Sequence, residues 1–244
     1  IVTDTIFPIL QIPEDVVIEA TSIDQNVANL GDAIATDNSE ITSITNDAPD
    51  VFPLGETTVT WTAIDSSNNF SSLTQLVTVV DTTAPEILVP ADITLEAVSV
   101  DANIVNLDIA TASDIQYVTI YLDAPDVFPL GETTVTWTAI DYSGNSASAT
   151  QTVTIVDTTK PGLSIPHNQT VEASNLDKTL VDIGQAEAHD ITGISSITHS
   201  APDVFPLGST LIAWTAIDNH SNITTAYQTI TVVDTTSPVI ISPQ

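Results

Sequence analysis

The residues of this chain that could do chemistry are carboxylates, and they recur on a fixed spacing. Asp65, Asp141 and Asp218 each close a copy of one stretch, DAPDVFPLGETTVTWTAID. It runs over residues 47–65, returns unchanged over 123–141, and returns with five substitutions over 200–218. Asp81, Asp157 and Asp234 open a second recurring signature, Asp-Thr-Thr-x-Pro. Oxygen donors in such numbers suit a hard cation, and calcium takes six to eight of them in adaptable geometry. Paired carboxylates also serve general acid–base catalysis, but a pair that recurs in every repeat reads as structure, not as one active site. The sequence has no G-x-S-x-G elbow, no H-E-x-x-H, no phosphate-cradling glycine loop and no cysteine. No catalytic residue is expected, and the chain reads as a non-enzyme.

Charge narrows the partners. The 244 residues carry 32 acids against two lysines, Lys160 and Lys178, for a formal charge of -30. Such a chain has no cationic footprint for a phosphate backbone, which excludes nucleic acid, and anionic membrane surfaces repel it. No apolar run approaches the roughly 20 residues of a membrane span, so no membrane insertion is expected. Self-repulsion of this size must be offset by salt, by bound cations or by spreading the charge along an extended object. Without cysteine, disulfides cannot brace the fold.

The elements that must position these acids also repeat. Trp61, Trp137 and Trp214 are 76 and 77 residues apart, and the linker signature keeps the same period. Three modules follow, over 1–80, 81–156 and 157–233, with a tail over 234–244. Thr, Val and Ile dominate, and Gly, Pro, Asn and Asp fill the turns. In the middle module the first strand is expected to run from residue 87 to 97, the second over 104–110 and the third over 117–122. Val135, Trp137 and Ala139 then alternate with threonines, a period of two with one apolar face. No window has helical periodicity. The fold class is all-β: tandem immunoglobulin-like β-sandwich modules stacked end to end as a rod of about 100 Å. A module this small buries little core, so neighbours or metal must brace it.

The combined pattern D-T-T-x-P, I-x-V-P-x-D-I-T-x-E-A, P-x-G-x-T-x-V-x-W-T-A-x-D-x-S-G-N and T-Q-T-V-T-V-V-D resembles the hyalin repeat (HYR) module. It does so three times, over essentially the whole chain. Module 2 fits best, with Asp141-Tyr-Ser-Gly-Asn145; modules 1 and 3 lack the turn glycine. The resemblance implies an immunoglobulin-like, extracellular or cell-surface, non-enzymatic module with adhesion and matrix roles.

With an immunoglobulin-like course, the acids fall at the module ends. One junction would gather Glu19, Asp47, Asp50, Asp81, Asp114 and Asp141. The next would gather Glu96, Asp123, Asp126, Asp157, Asp190 and Asp218. Carboxylates converging in this way disfavour joint ionisation unless a cation joins them, so calcium (Ca2+) is the expected cofactor. The alternative is that aspartates in Asp-Thr-Thr and Asp-Tyr-Ser-Gly are turn residues that bond their own backbone. The tryptophans are read as core. The four histidines all lie in module 3 and do not converge as a zinc site. Asn69, Asn168, Asn219 and Asn222 begin N-x-S/T sequons and are glycosylation candidates.

The expected function is a structural segment of an extracellular filament, sheath or surface layer braced by calcium at its junctions. One alternative is an adhesin stalk that presents a binding head. Another is a carbohydrate-binding accessory module of a secreted enzyme, which would need exposed aromatics. Partners are copies of itself or further modules of the same chain: the apolar tail reads either as the first strand of a following module or as a strand donated to a neighbouring subunit by strand addition; no small-molecule substrate is expected.

Overall fold

The computed structural model describes residues 3–175 and 178–240, and among them there is no helix. The strands come in sixes, one set per sequence period. The first set is β1 (Ile9–Gln11), β2 (Val16–Glu19), β3 (Ile34–Thr36), β4 (Ile41–Asn46), β5 (Gly55–Asp65) and β6 (Phe70–Val80). The second is β7 (Glu86–Leu88), β8 (Ile93–Glu96), β9 (Thr111–Ser113), β10 (Val118–Leu122), β11 (Gly131–Asp141) and β12 (Ser146–Val156). The third is β13 (Gly162–Ser164), β14 (Gln169–Glu172), β15 (Glu187–His189), β16 (Ile194–His199), β17 (Gly208–Asp218) and β18 (Ile223–Val233).

In the first set a four-stranded sheet of order β2-β6-β5-β4 faces a two-stranded β1-β3 sheet; the third set repeats this as β14-β18-β17-β16 and β13-β15. By compactness the chain forms two units. One holds the described residues of Ile1–Pro90, Asp108–Asp123 and Thr136–Thr150; the other holds those of Ala91–Leu107, Ala124–Val135 and Gln151–Gln244. The division passes through the middle repeat. In the first unit β7 pairs with β9, and β10 with the Trp137–Asp141 end of β11. In the second, β8 runs parallel to the Val153–Val156 end of β12.

The long strands β5, β11 and β17 carry the core. Their burial alternates from the middle of the strand to the closing aspartate, as a period of two requires. Val59, Trp61 and Ala63 bury against Val77, Val79 and Phe52; Ile212 and Trp214 bury against Phe205, Ile230 and Val232. Trp61 and Trp214 each sit over a wholly buried glutamine. Trp61 Nε1 donates to Gln75 Oε1 at 2.9 Å, and Trp214 Nε1 to Gln228 Oε1 at 3.0 Å. Those glutamines in turn donate to backbone carbonyls of Glu14 and Leu30, and of His167 and Ile183. The tryptophans are therefore core residues and not an exposed platform.

Two expected strands differ from the structure. The run over 87–97 is two strands, because β7 joins β9 while β8 joins β12. The break falls where Pro90 has no N–H for a ladder. Beyond it Ala91 O accepts from Gln151 Nε2, and Asp92 Oδ1 accepts from the Thr152 N–H. Residues 104–110 form no strand. Val105 and Leu107 pack on the core without a ladder, and Ile104 is exposed. Asn103, just before them, is buried and ties its own turn to the Phe128 carbonyl.

The hairpin turn also departs from a glycine rule. Gly144 has φ 92°, yet Asn68 and Ser221 take φ 65° and 70° at the matching places. Asparagine tolerates this left-handed region; serine does so at greater cost.

Candidate metal centres

Each long core strand ends by delivering a buried aspartate to one pole of its repeat. There it meets the aspartate of the preceding linker and one from the loop before β4, β10 or β16. Among the described residues three clusters result: Asp4, Asp37 and Asp65; Asp81, Asp114 and Asp141; and Asp157, Asp190 and Asp218. In each, one carboxylate oxygen per residue lies within 4.8 Å of the others. That spread matches oxygens ringing one calcium ion at about 2.4 Å.

The hairpin aspartates are held as acceptors. Asp65 Oδ1 takes the N–H groups of Ser67 and Asn69, and Oδ2 takes the Asn69 amide at 2.8 Å. Asp218 repeats this with His220 and Asn222, and Asp141 with Asn145. Burial alone would push the Asp65 and Asp218 carboxyls up, but these donors outweigh it and hold both below the usual range. The Ile6 N–H does the same for Asp4. The same asparagines reach the linker: Asn69, Asn145 and Asn222 donate to the carbonyls of Asp4, Asp81 and Asp157. Carboxylates pressed together in this way, with oxygen as the only ligand atom they offer, fit a hard divalent cation.

The clusters are smaller than the expected junction sets. Asp81, Asp114 and Asp141 come together, as do Asp157, Asp190 and Asp218. Asp47, Asp50, Asp123, Asp126, Glu19 and Glu96 are not among them. Asp47 and Asp123 instead anchor their loop to the core strand, accepting from the Thr60 and Thr136 N–H groups. In the third repeat Ser200 makes the same bond to Ala213, so the position needs an acceptor and not a charge. Asp50 and Asp126 are exposed in bends.

Glu19 and Glu96 have a different task. Glu19 accepts from the Thr82 N–H and from the hydroxyls of Thr82 and Thr83; Glu96 does so from Thr158 and Thr159, and Glu172 from Thr235 and Thr236. The linkers that open at Asp81, Asp157 and Asp234 are thus each clasped by the glutamate of the repeat before. The sequence signal was the shared recurrence of this glutamate and the Thr-Thr pair. Sequence reasoning also left out Asp4, Asp37 and Asp65 as a cluster, although Val2-Thr-Asp-Thr-Ile-Phe-Pro8 carries the linker aspartate.

The Thr159 hydroxyl, with the Thr158 N–H and hydroxyl, holds the Glu96 carboxyl down from 4.5 to about 2. A depressed carboxyl contributes its stabilisation fully above the unfolded value and loses it as pH falls through the folded one. The clasp should therefore persist at pH 4.5 and open only towards pH 2. Carboxyl-carbon NMR of Glu96 should titrate near 2, with the Thr158 and Thr159 amide shifts following. A midpoint at 4.5 would show that the clasp does not form in solution.

Of the sequon asparagines, Asn69 and Asn222 have their amides committed within the clusters, and Asn219 donates to the Thr192 carbonyl. Asn168 is exposed; its Oδ1 accepts from the Thr229 N–H, the task Asp15 and Asp92 perform in the other repeats. The histidines form no cluster among the described residues. His199 packs on Trp214 with ring centroids 5.0 Å apart, and His220 Nδ1 lies 3.6 Å from Asp157 Oδ2.

The family model of the HYR domain matches residues 80–155, the middle repeat from its linker to the end of its last strand. The middle repeat is an HYR domain. The chain as a whole is 36% identical over 263 residues to hyalin of Strongylocentrotus purpuratus, covering 98% of this chain and 22% of that protein. Hyalin of Lytechinus variegatus is 34% identical over 271 residues, covering 99% of this chain and 50% of that one. The sushi, von Willebrand factor type A, EGF and pentraxin domain-containing protein 1 of Rattus norvegicus is 31% identical over 172 residues, 64% of this chain and 5% of that protein. The chain therefore spans half or less of the curated relatives it matches. It is an extracellular or cell-surface segment and not an enzyme.

Proposed function

We propose that this HYR segment is a structural repeat segment of an extracellular filament, sheath or surface layer, with calcium bracing the joints between its repeats. The repeats are taken as 1–80, 81–156 and 157–233, each beginning at or near its linker aspartate. The observation that carries the reading is the aspartate triad, assembled three times from the same three positions. Asp4, Asp81 and Asp157 belong to linkers, so a cation held there ties each linker to the pole of the repeat that follows. The glutamate clasp ties the last two of these linkers to the repeat before. At the joint between the first two repeats Ile115, next to Asp114, also packs on the core cluster of the first repeat. Calcium would supply charge neutralisation and oxygen-ligand cross-linking there, with no chemical step.

Val239 and Ile240 are exposed and lie in no strand, and the expected tail strand otherwise falls at 241–244, outside the described residues. We take the apolar tail to pair with a further repeat or a neighbouring copy.

Thermal melting of the full chain at moderate salt, with calcium and with chelator, tests the reading. Binding to the folded state alone must stabilise it, by about 2.7 kcal/mol per site at a hundredfold excess over Kd. A midpoint indifferent to chelator would sink calcium bracing, while electron microscopy of the native material separately tests for ordered polymers.

A further inference from the structure

We infer that the three clusters are graded, and that the one built from Asp4, Asp37 and Asp65 takes up calcium before the other two. This rests on the calcium reading above and concerns the order in which the sites fill.

The difference lies in the second oxygen of each linker aspartate. Asp81 Oδ1 accepts from the Thr83 N–H at 3.2 Å, and its Oδ2 accepts from Gln116 Nε2 at 2.7 Å. Gln116 is itself held by the Ser143 hydroxyl and by its own N–H on Asp114 Oδ1. Asp157 Oδ1 accepts from the Thr159 N–H, and its Oδ2 from the Thr192 hydroxyl at 2.6 Å, with His220 at 3.6 Å. Both of these aspartates are fully provided for from within the protein. Asp4 is not. Its Oδ1 takes the Ile6 N–H at 3.0 Å and the Asn38 amide at 3.3 Å, but its Oδ2 is buried with no hydrogen-bond partner.

The cause is one side chain. Gln116 and Thr192 stand two residues after the loop aspartate of their repeats. The first repeat has Ser39 there; its hydroxyl donates to Asp37 Oδ2 at 3.1 Å and lies near enough to the Asp4 and Asp65 carboxyls to help lower both, but it makes no full hydrogen bond to Asp4 Oδ2. An anionic oxygen buried without a donor carries a desolvation cost at that atom, although the Ile6 N–H holds the Asp4 carboxyl as a whole below its usual range. A cation at the first cluster relieves that cost. At the other two a cation must share or displace the donor of Gln116 or Thr192. An affinity advantage of about tenfold or more follows for the first cluster.

Calcium titration of the full, metal-stripped chain by isothermal calorimetry tests the order, with circular dichroism to verify that each variant is folded. Wild type should show one tight and two weaker sites. Asp4→Asn should remove the tight class and leave the weaker ones. Gln116→Ser, which gives the middle cluster the residue found in the first, should move one weak site into the tight class. A single class of sites, or a tight class that survives Asp4→Asn, overturns the grading while leaving calcium binding intact. Gln116→Ser without effect overturns the cause assigned to it. No binding at all removes the calcium reading and the grading with it.

Discussion

Trp214→Ala lowers the stability of the third repeat by about 3–5 kcal/mol, the range for deleting a large buried aromatic. The indole is 4% exposed and packs with Phe205, Ile212, Ile230 and Val232. The alanine variant loses that packing, leaves a cavity and strips the donor from Gln228 Oε1. Gln228 is wholly buried, and its amide nitrogen is already committed to His167 O and Ile183 O, so it cannot turn to find another partner. Trp214→Phe separates the two losses. It keeps an aromatic ring but removes the N–H, and the unpaired acceptor alone should cost about 1–3 kcal/mol. Urea unfolding, followed repeat by repeat by hydrogen exchange, gives both values. If Trp214→Phe leaves the third repeat as stable as wild type, the tryptophan–glutamine bond does not contribute.

Asp141→Ala should be costly twice over, and the two costs separate by condition. In chelator the variant loses the acceptor for the Asn145 N–H and side-chain amide, both at 2.9 Å. Hydrogen bonds to a charged group of this kind contribute about 1.5–3 kcal/mol. Asn145 also donates to the Asp81 carbonyl, so the linker loosens with the turn. In calcium the variant also loses the middle site, a further loss of about 2.7 kcal/mol at a hundredfold excess over Kd. The destabilisation should therefore be larger in calcium than in chelator when read from the melting of the same pair of proteins. An equal loss in both would make Asp141 a turn cap alone, the role its Asp-Tyr-Ser-Gly sequence already suggests.

That ambiguity explains how far the candidate sites were legible. Aspartate is at once a turn former, a backbone acceptor and a calcium ligand, and residue type does not separate these roles. Six acids were expected at each junction. Asp47 and Asp123 cap a strand N–H, Glu19 and Glu96 hold threonines, and Asp50 and Asp126 lie in exposed bends. The substitution of serine at position 200 was the visible clue that the first acid of the loop needs only an oxygen.

Sequence alone determined the period, the all-β class and the tryptophan-bearing strands, because strict alternation names the buried face without reference to any partner. It also named the aspartates that end those strands. Tertiary structure decided which acids meet. The triads draw on three positions far apart in the chain, and the glutamate clasp closes over some sixty residues, as Glu19 to Thr82 shows. It also decided that the first strand of a repeat changes sheets at Pro90, and that residues 104–110 pack without a ladder. Periodicity reports a face; only the folded chain reports a neighbour. The vacant acceptor on Asp4 is of the same kind, since whether a buried oxygen has a donor depends on what the fold brings to it.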